Sequence, residues 1–211
     1  MIIKICGIQE IETLLCCENN NVNFFGMIFY NDSPRNISIE KARKLQNFAK
    51  KLNIEGVGVF VNTEFNKIIK FIEELNLKIV QLHGDENNQY IKEIKNLGVK
   101  VIKKIAIRDS SDLKEIDNYQ DADFYLFDYK PKLFELPGGN AKSFDWNILE
   151  NLNTIKPWFL SGGINLENIH YIKKKLKPFG IDLSSALEKE LGIKDNRIIN
   201  NFIERFKNAK K

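Results

Sequence analysis

Histidine and cysteine are scarce in this chain of 211 residues, which has two of the first and three of the second. His83 and His170 stand far apart, and no Cys-x-x-Cys or His-x-x-x-His occurs, so no metal site is expected. The cysteines, Cys6, Cys16 and Cys17, are odd in number and include an adjacent pair, a poor disulfide framework; reduced thiols are expected. No apolar run approaches the ~20 residues that cross a bilayer, and Met1-Ile2-Ile3-Lys4 lacks the layout of a secretory signal. A cytoplasmic protein without a membrane partner is expected. The chain also lacks the Gly-x-Gly-x-x-Gly of dinucleotide-binding sheets, because Cys6-Gly7 runs on into Ile8-Gln9-Glu10. No uniform basic block accompanies the net charge of +4 and pI near 8.8. Nucleic acid is therefore not an expected partner, although a mildly basic surface helps to attract an anionic small molecule.

What is present is a globular composition, with 43% apolar and 28% charged residues, and a length at the lower edge of the range for a (β/α)8 barrel. One domain over residues 1–211 is expected. Apolar runs recur along the whole chain, each followed by an amphipathic stretch that opens on polar or acidic residues. The candidate strands are Ile2 to Cys6, Phe24 to Tyr30, Gly56 to Val61, Lys78 to His83, Val99 to Ile105, Phe124 to Asp128, Trp158 to Ser161 and Gly180 to Ser184. Helix starts fall between them, at Ser38 as an N-cap, Thr63-Glu64, Asp85-Glu86, Ser111-Asp112 and Asn165-Leu166-Glu167. Strict alternation of this kind requires parallel strands with right-handed crossovers, in either a closed barrel or an open doubly wound sheet. Eight units favour closure. The stretch from Lys130 to Phe144, with Pro131, Pro137, Gly138 and Gly139, is a candidate active-site lid.

Closed barrels place their chemistry at the C-terminal ends of the strands, which narrows the candidates. Side chains alternate along a strand, so Lys4 and Cys6 share the interior face of the first, as Asp182 and Ser184 do on the last. Closure makes those two strands neighbours, and Lys4 and Asp182 are expected to pair, since two unpaired charges there would be costly. A thiol is a useful base only when positive charge or hydrogen bonds favour its thiolate, and Lys4 is the available cation. On the sixth strand Phe124 and Leu126 lie below Asp128, a carboxylate at the mouth. Cys6 and Asp128 are thus the candidate base and acid, set against the plainer readings of a small buried hydrophobe and a loop-capping carboxylate.

Ser161-Gly162-Gly163 follows the seventh strand and Ser184-Ser185-Ala186 the eighth, the two loops where barrels commonly bind phosphate. Glycine there lets backbone N–H groups approach phosphate oxygens. Gly162, Gly163, Ser184, Ser185 and Ala186 are therefore the candidate phosphate site, and a sugar phosphate the expected ligand. Arg35, in the loop after the second strand, offers a fork to a carboxylate. Gln81 and His83 end the fourth strand and are expected on the pocket wall, as are Lys4 and Asp182; a hydrogen-bonded structural histidine is the other reading of His83.

These residues carry a resemblance that runs from end to end of the chain. Lys4-Ile5-Cys6-Gly7-Ile8, Gly56-Val57-Gly58-Val59-Phe60-Val61-Asn62, Val80-Gln81-Leu82-His83-Gly84, Phe127-Asp128, Gly138-Gly139, Phe144-Asp145-Trp146, Leu160-Ser161-Gly162-Gly163 and Asp182-Leu183-Ser184-Ser185 appear in the order found in the phosphoribosylanthranilate isomerases. The chain resembles that family of tryptophan biosynthesis. The resemblance implies a barrel of the ribulose-phosphate-binding type and no cofactor. It implies an Amadori rearrangement of N-(5-phosphoribosyl)anthranilate to 1-(2-carboxyphenylamino)-1-deoxyribulose 5-phosphate; the sequence leaves both a monomer and a homodimer open. In its terms Asp128 matches the general acid, Cys6 the general base, Arg35 the anchor of the anthranilate carboxylate, and the loops after strands seven and eight the phosphate site.

The chain departs from the family at Ala186, where glycine is usual, and at Asn140-Ala141, where Thr-Gly or Ser-Gly is usual. An alanine keeps its N–H donor and is penalised only where φ is positive. Two other readings stay open. The histidine-pathway isomerase that performs the same rearrangement resembles this family but has an aspartate where Cys6 stands. A catalytically silent barrel that binds a sugar phosphate or a partner protein would share the fold alone.

Overall fold

The computed structural model describes residues 1–139 and 142–209; the Asn140-Ala141 pair, where the chain departs from the family pattern, lies outside the described residues. Eight parallel strands close in chain order into one barrel: β1 (Ile2–Cys6), β2 (Phe24–Ile28), β3 (Glu55–Phe60), β4 (Ile79–Leu82), β5 (Lys100–Ile107), β6 (Phe124–Tyr129), β7 (Trp158–Leu160) and β8 (Gly180–Leu183). Closure is made by β8 on β1, with Lys4 opposite Asp182 in the register. The open sheet is thereby excluded. Strand ends differ from the sequence expectation by a residue or two, and β5 runs on to Ile107 because its pairing with β6 continues through Ile107 opposite Tyr129.

The segments that follow the eight strands are not all α-helices. The first four are: α1 (Ile11–Asn19), α2 (Ile39–Ala49), α3 (Phe65–Leu75) and α4 (Asn88–Lys95). Ser38 caps α2 as expected, its side chain accepting from the Lys41 N–H, whereas α4 is capped by Asn87 rather than by Asp85. The crossover after β5 is a 3₁₀-helix, Ser110–Asn118, capped by Asp109. Its apolar side chains Leu113, Ile116 and Tyr119 recur every third residue and pack on the core, a period that suits three residues per turn better than 3.6. A single 3₁₀ turn, Trp146–Leu149, follows the long loop after β6. The seventh crossover is a short helix, α5 (Ile169–Tyr171), that continues as a π-turn over Ile172–Leu176, and the eighth strand is followed by the α-helix α6 (Asn196–Asn208). Between β8 and α6 lies a small hairpin, β9 (Glu188–Glu190) and β10 (Ile193–Lys194), that no sequence signal marked.

Alternation along the strands sorts the core into two layers. Outward side chains such as Ile3, Ile5, Phe25 and Phe127 meet the helices, while Val57, Ile79, Ile102, Leu126 and Phe159 form a separate apolar plug inside the barrel. This plug is a floor, and two positions further along β4, β5, β6 and β7 the polar side chains of Gln81, Lys104, Asp128 and Ser161 stand above it, whereas β3 carries Val59 there. Among the described residues no helix is long and apolar enough to cross a membrane, and no group of three or more His, Cys, Asp or Glu could hold a metal ion.

Candidate active site

Above the apolar floor most interior positions turn polar, except on β2 and β3, where Ile28, Val59 and Val61 line the cavity. Lys4 is fully buried and its Nζ lies 2.9 Å from both carboxylate oxygens of Asp182. Burial alone would lower the Lys4 pKa, but the Asp182 carboxylate and Cys6 outweigh it and hold the ammonium above its ordinary value. Lys4 lies beneath the cavity rather than on its wall, whereas Asp182 reaches the wall.

Cys6 stands one alternation above Lys4 and lines the cavity together with Asp128, Arg35, Gln81 and His83. Burial pushes its thiol above the ordinary value; Lys4 and Lys194 pull the other way and Asp182 adds to the rise. Lys4 therefore favours the thiolate, as the alternation suggested, but burial is the larger effect, and the thiol carries its proton at neutral pH. The other cysteines, Cys16 and Cys17, are free thiols buried in α1.

Asp128 is the last but one residue of β6, with Oδ1 accepting from the Tyr129 N–H at 2.8 Å and Oδ2 lying 3.5 Å from His83 Nε2. His83 is held at both nitrogens: Nδ1 lies 2.9 Å from Gln81 Nε2, and Nε2 lies 3.1 Å from the Pro137 carbonyl. A carbonyl only accepts, so Nε2 carries the hydrogen and Nδ1 accepts from the Gln81 amide. Burial, with nearby Lys104 second, lowers the His83 pKa, which agrees with this neutral form. Gln81 Oε1 is buried on the pocket wall with no partner among the described residues. Lys104 was missed by the sequence analysis. It shares the interior face of β5 with Ile102, and its Nζ donates to the same Pro137 carbonyl at 3.1 Å. The signal was there, a second lysine in Lys103-Lys104 that alternation must turn inward.

Arg35 is nearly inaccessible, and its guanidinium is already engaged. Nε donates to Glu188 Oε1 at 2.7 Å and Nη2 to Glu188 Oε2 at 2.9 Å. One edge of the fork expected to take a ligand carboxylate thus holds a carboxylate of the chain itself. Glu188 also accepts from Lys194 Nζ at 2.6 Å and from the Gly192 N–H at 3.0 Å. Burial opposes its ionisation, yet Arg35 and Lys194 hold its carboxyl down to about 2. Neither Glu188 nor Lys194 drew attention in the sequence, because Glu188-Lys189-Glu190 reads as a solvated charge run and the partners are far apart along the chain.

The second lobe of the cavity, about 230 Å³, is walled by the loops after β7 and β8, with Gly162, Gly163, Ser184, Ser185 and Ala186 in its lining. Gly162 and Gly163 both have positive φ, +82° and +70°, and a Cβ on Gly162 would come within 2.7 Å of Asp128 Oδ1. A side chain at either position would be strained and would close the lobe. Ser185–Leu187 is a 3₁₀ turn whose first N–H groups have no acceptor within it. Ala186 is not among the residues with positive φ, so alanine in place of glycine meets no backbone penalty there. Asp128, Gly138, Gly139, Ser161, Asp182 and Ser184 line both lobes and join them into one cleft. Lys142, also missed, contributes a cation to the rim of this lobe.

Comparison with known proteins accords with this geometry. Residues 3–205 match the protein family described as N-(5'phosphoribosyl)anthranilate (PRA) isomerase. The chain is 36% identical over 206 residues to the N-(5'-phosphoribosyl)anthranilate isomerase of Aquifex aeolicus (strain VF5), covering 97% of this chain and 98% of that protein. Among solved structures, the phosphoribosyl anthranilate isomerase of Thermotoga maritima superposes with a TM-score of 0.88 at 33% identity, covering 99% of this chain and all of the other. A phosphoribosyl anthranilate isomerase in complex with reduced 1-(o-carboxyphenylamino)-1-deoxyribulose 5-phosphate superposes with a TM-score of 0.85 at 32% identity, with 99% and 100% covered.

Proposed function

This chain belongs to the N-(5'-phosphoribosyl)anthranilate isomerase family, and we propose that it performs an Amadori rearrangement with Asp128 as general acid and Cys6 as general base. It is an isomerase of tryptophan biosynthesis. The substrate is N-(5'-phosphoribosyl)anthranilate. The observation that carries this reading is that Cys6, from β1, and Asp128, from β6, line one cleft with Arg35 in one lobe and the glycine and serine loops in the other. That order matches a substrate with a carboxylate at one end, a phosphate at the other and the reacting carbons between.

In this reaction Asp128 gives a proton to the furanose ring oxygen as the C1–O bond breaks. The nitrogen lone pair forms the C1=N bond of a cationic Schiff base. Cys6 then takes the proton from C2, the C–H electrons form the C1=C2 bond, and the nitrogen recovers its lone pair. The enolamine becomes the ketone by losing its hydroxyl proton and gaining one at C1. The cationic nitrogen beside Cys6 favours the thiolate at the step that needs it, offsetting the burial that keeps the free thiol protonated. Gln81 Oε1 offers a buried acceptor to a hydroxyl or N–H of the bound substrate.

The test is to mix freshly made phosphoribosylanthranilate with the protein and follow its anthranilate fluorescence. Rapid loss is expected, slowed by about 10²–10⁴-fold in Cys6→Ala and in Asp128→Ala. A folded parent protein that leaves the fluorescence unchanged would overturn the assignment.

A further inference from the structure

We infer that Glu188 is a positioning residue for the substrate's carboxylate: it takes the Nε and Nη2 edge of Arg35, turns the Nη1 and Nη2 edge toward the cleft, and Lys194 restores the positive charge that edge requires. This rests on the reading of Arg35 as the carboxylate anchor and extends it to two residues beyond the last barrel strand.

The geometry begins with the fork itself. A guanidinium carries five N–H donors and presents two edges that each match a carboxylate. Glu188 fills one, with bonds of 2.7 and 2.9 Å. Along the other, Nη2 makes only a long contact of 3.5 Å to the Gly139 carbonyl, and Nη1 has no hydrogen-bond partner among the described residues. Arg35 lines the cleft beside Cys6, so the edge not held by Glu188 is the one left for a ligand. Gly139 lies against that edge: it has φ of +74°, and a Cβ there would overlap Arg35 Nη1, so a glycine is what leaves the edge room.

Charge supplies the second argument. Arg35 and Glu188 alone would cancel, and a neutral pair attracts a carboxylate weakly. Lys194 sits on the far side of Glu188, 3% exposed, and its Nζ has three acceptors, Glu188 Oε1 at 2.6 Å, the Ser184 carbonyl at 3.2 Å and Ser184 Oγ at 3.3 Å. An ammonium uses all three of its donors there, and the Arg35, Glu188 and Lys194 cluster is left with one net positive charge, the complement of one carboxylate. A largely buried charge cluster of this kind is costly to assemble and weak evidence for stability, so its presence at a ligand edge calls for a role in binding.

The experiment compares two ligands, reduced 1-(2-carboxyphenylamino)-1-deoxyribulose 5-phosphate and its phenylamino counterpart without the carboxylate, by isothermal titration. The parent should bind the carboxylated ligand more tightly by about tenfold or more. Glu188→Gln puts an amide donor against an Arg35 N–H; it should lower that preference to about a fifth or less while the affinity for the carboxyl-free ligand changes by less than about twofold. Lys194→Met should lower the preference in the same sense. If Glu188→Gln does not fold, Glu188→Asp, which keeps the charge on a shorter stem, takes its place with the same expected loss. Equal loss on both ligands would make Glu188 merely structural and overturn the inference, as would an unchanged preference. A parent that does not distinguish the ligands would instead remove the carboxylate-anchor reading of Arg35, and the inference with it.

Discussion

Lys4 and Asp182 close the barrel with charge as well as with backbone, the Lys4 ammonium lying 2.9 Å from both Asp182 oxygens across the seam of β1 and β8. Removing one partner leaves the other charged and unpaired in the interior. Lys4→Met is expected to cost about 3–5 kcal/mol of stability by urea unfolding, and Lys4→Met with Asp182→Leu to recover most of it. A double variant as unstable as the single would show that the pair is not what the seam depends on.

The Pro137 carbonyl takes two buried donors, His83 Nε2 and Lys104 Nζ, each at 3.1 Å, and so ties the long loop after β6 to two barrel strands. Lys104→Met keeps much of the stem and loses the donor. We expect KM to rise by about tenfold with a smaller change in kcat, and the loop around Leu133 and Phe134, both highly exposed, to be cut faster by chymotrypsin. Unchanged KM and unchanged proteolysis would mean that His83 alone holds the carbonyl.

Burial raises the Cys6 thiol above its ordinary value, with Lys4 and Lys194 opposing. Its alkylation by iodoacetamide, mapped by mass spectrometry, should be slow at pH 7 and still rising above pH 9, whereas a free thiol levels off past ~8.5. Lys194→Met removes a cation that favours the thiolate and should move the rise to still higher pH. A plateau below pH 8 in the parent would contradict the balance of burial and charge drawn here.

Glu188 links stability to acid. Its carboxyl is held to about 2 in the folded chain against an ordinary 4.5. A depressed carboxyl stabilises the fold fully above its unfolded value, and the contribution is lost as pH falls through the folded one. The loss therefore falls between about pH 4.5 and 2. Thermal unfolding of the parent should steepen across that window, and Glu188→Gln should flatten it while lowering the melting temperature at neutral pH. Parallel curves for the two proteins would place the acid sensitivity elsewhere.

Periodicity and alternation were enough to find the barrel. Eight apolar runs separated by amphipathic stretches admit few topologies, and a period of two turns Lys4 and Cys6, or Leu126 and Asp128, to one face whatever surrounds them. By itself, then, the sequence determined the strand order, the interior polar positions and the mouth at which Cys6 and Asp128 stand. It also marked Gly162 and Gly163, which alone read equally as a plain turn, because the pair coincides with the serine loop of the next strand where barrels commonly bind phosphate. The 3₁₀ crossover at Ser110–Asn118 was harder to read, since its polar start looks the same for either helix and only the spacing of Leu113, Ile116 and Tyr119 differs. Tertiary structure alone decided that Arg35 meets Glu188, 153 residues away, and that His83 and Lys104 share one carbonyl 54 and 33 residues further on. Such contacts leave no local pattern. A charged side chain in a loop looks the same in sequence whether it faces water or a partner brought beside it by closure of the barrel, and only the packed fold sets which of these it meets.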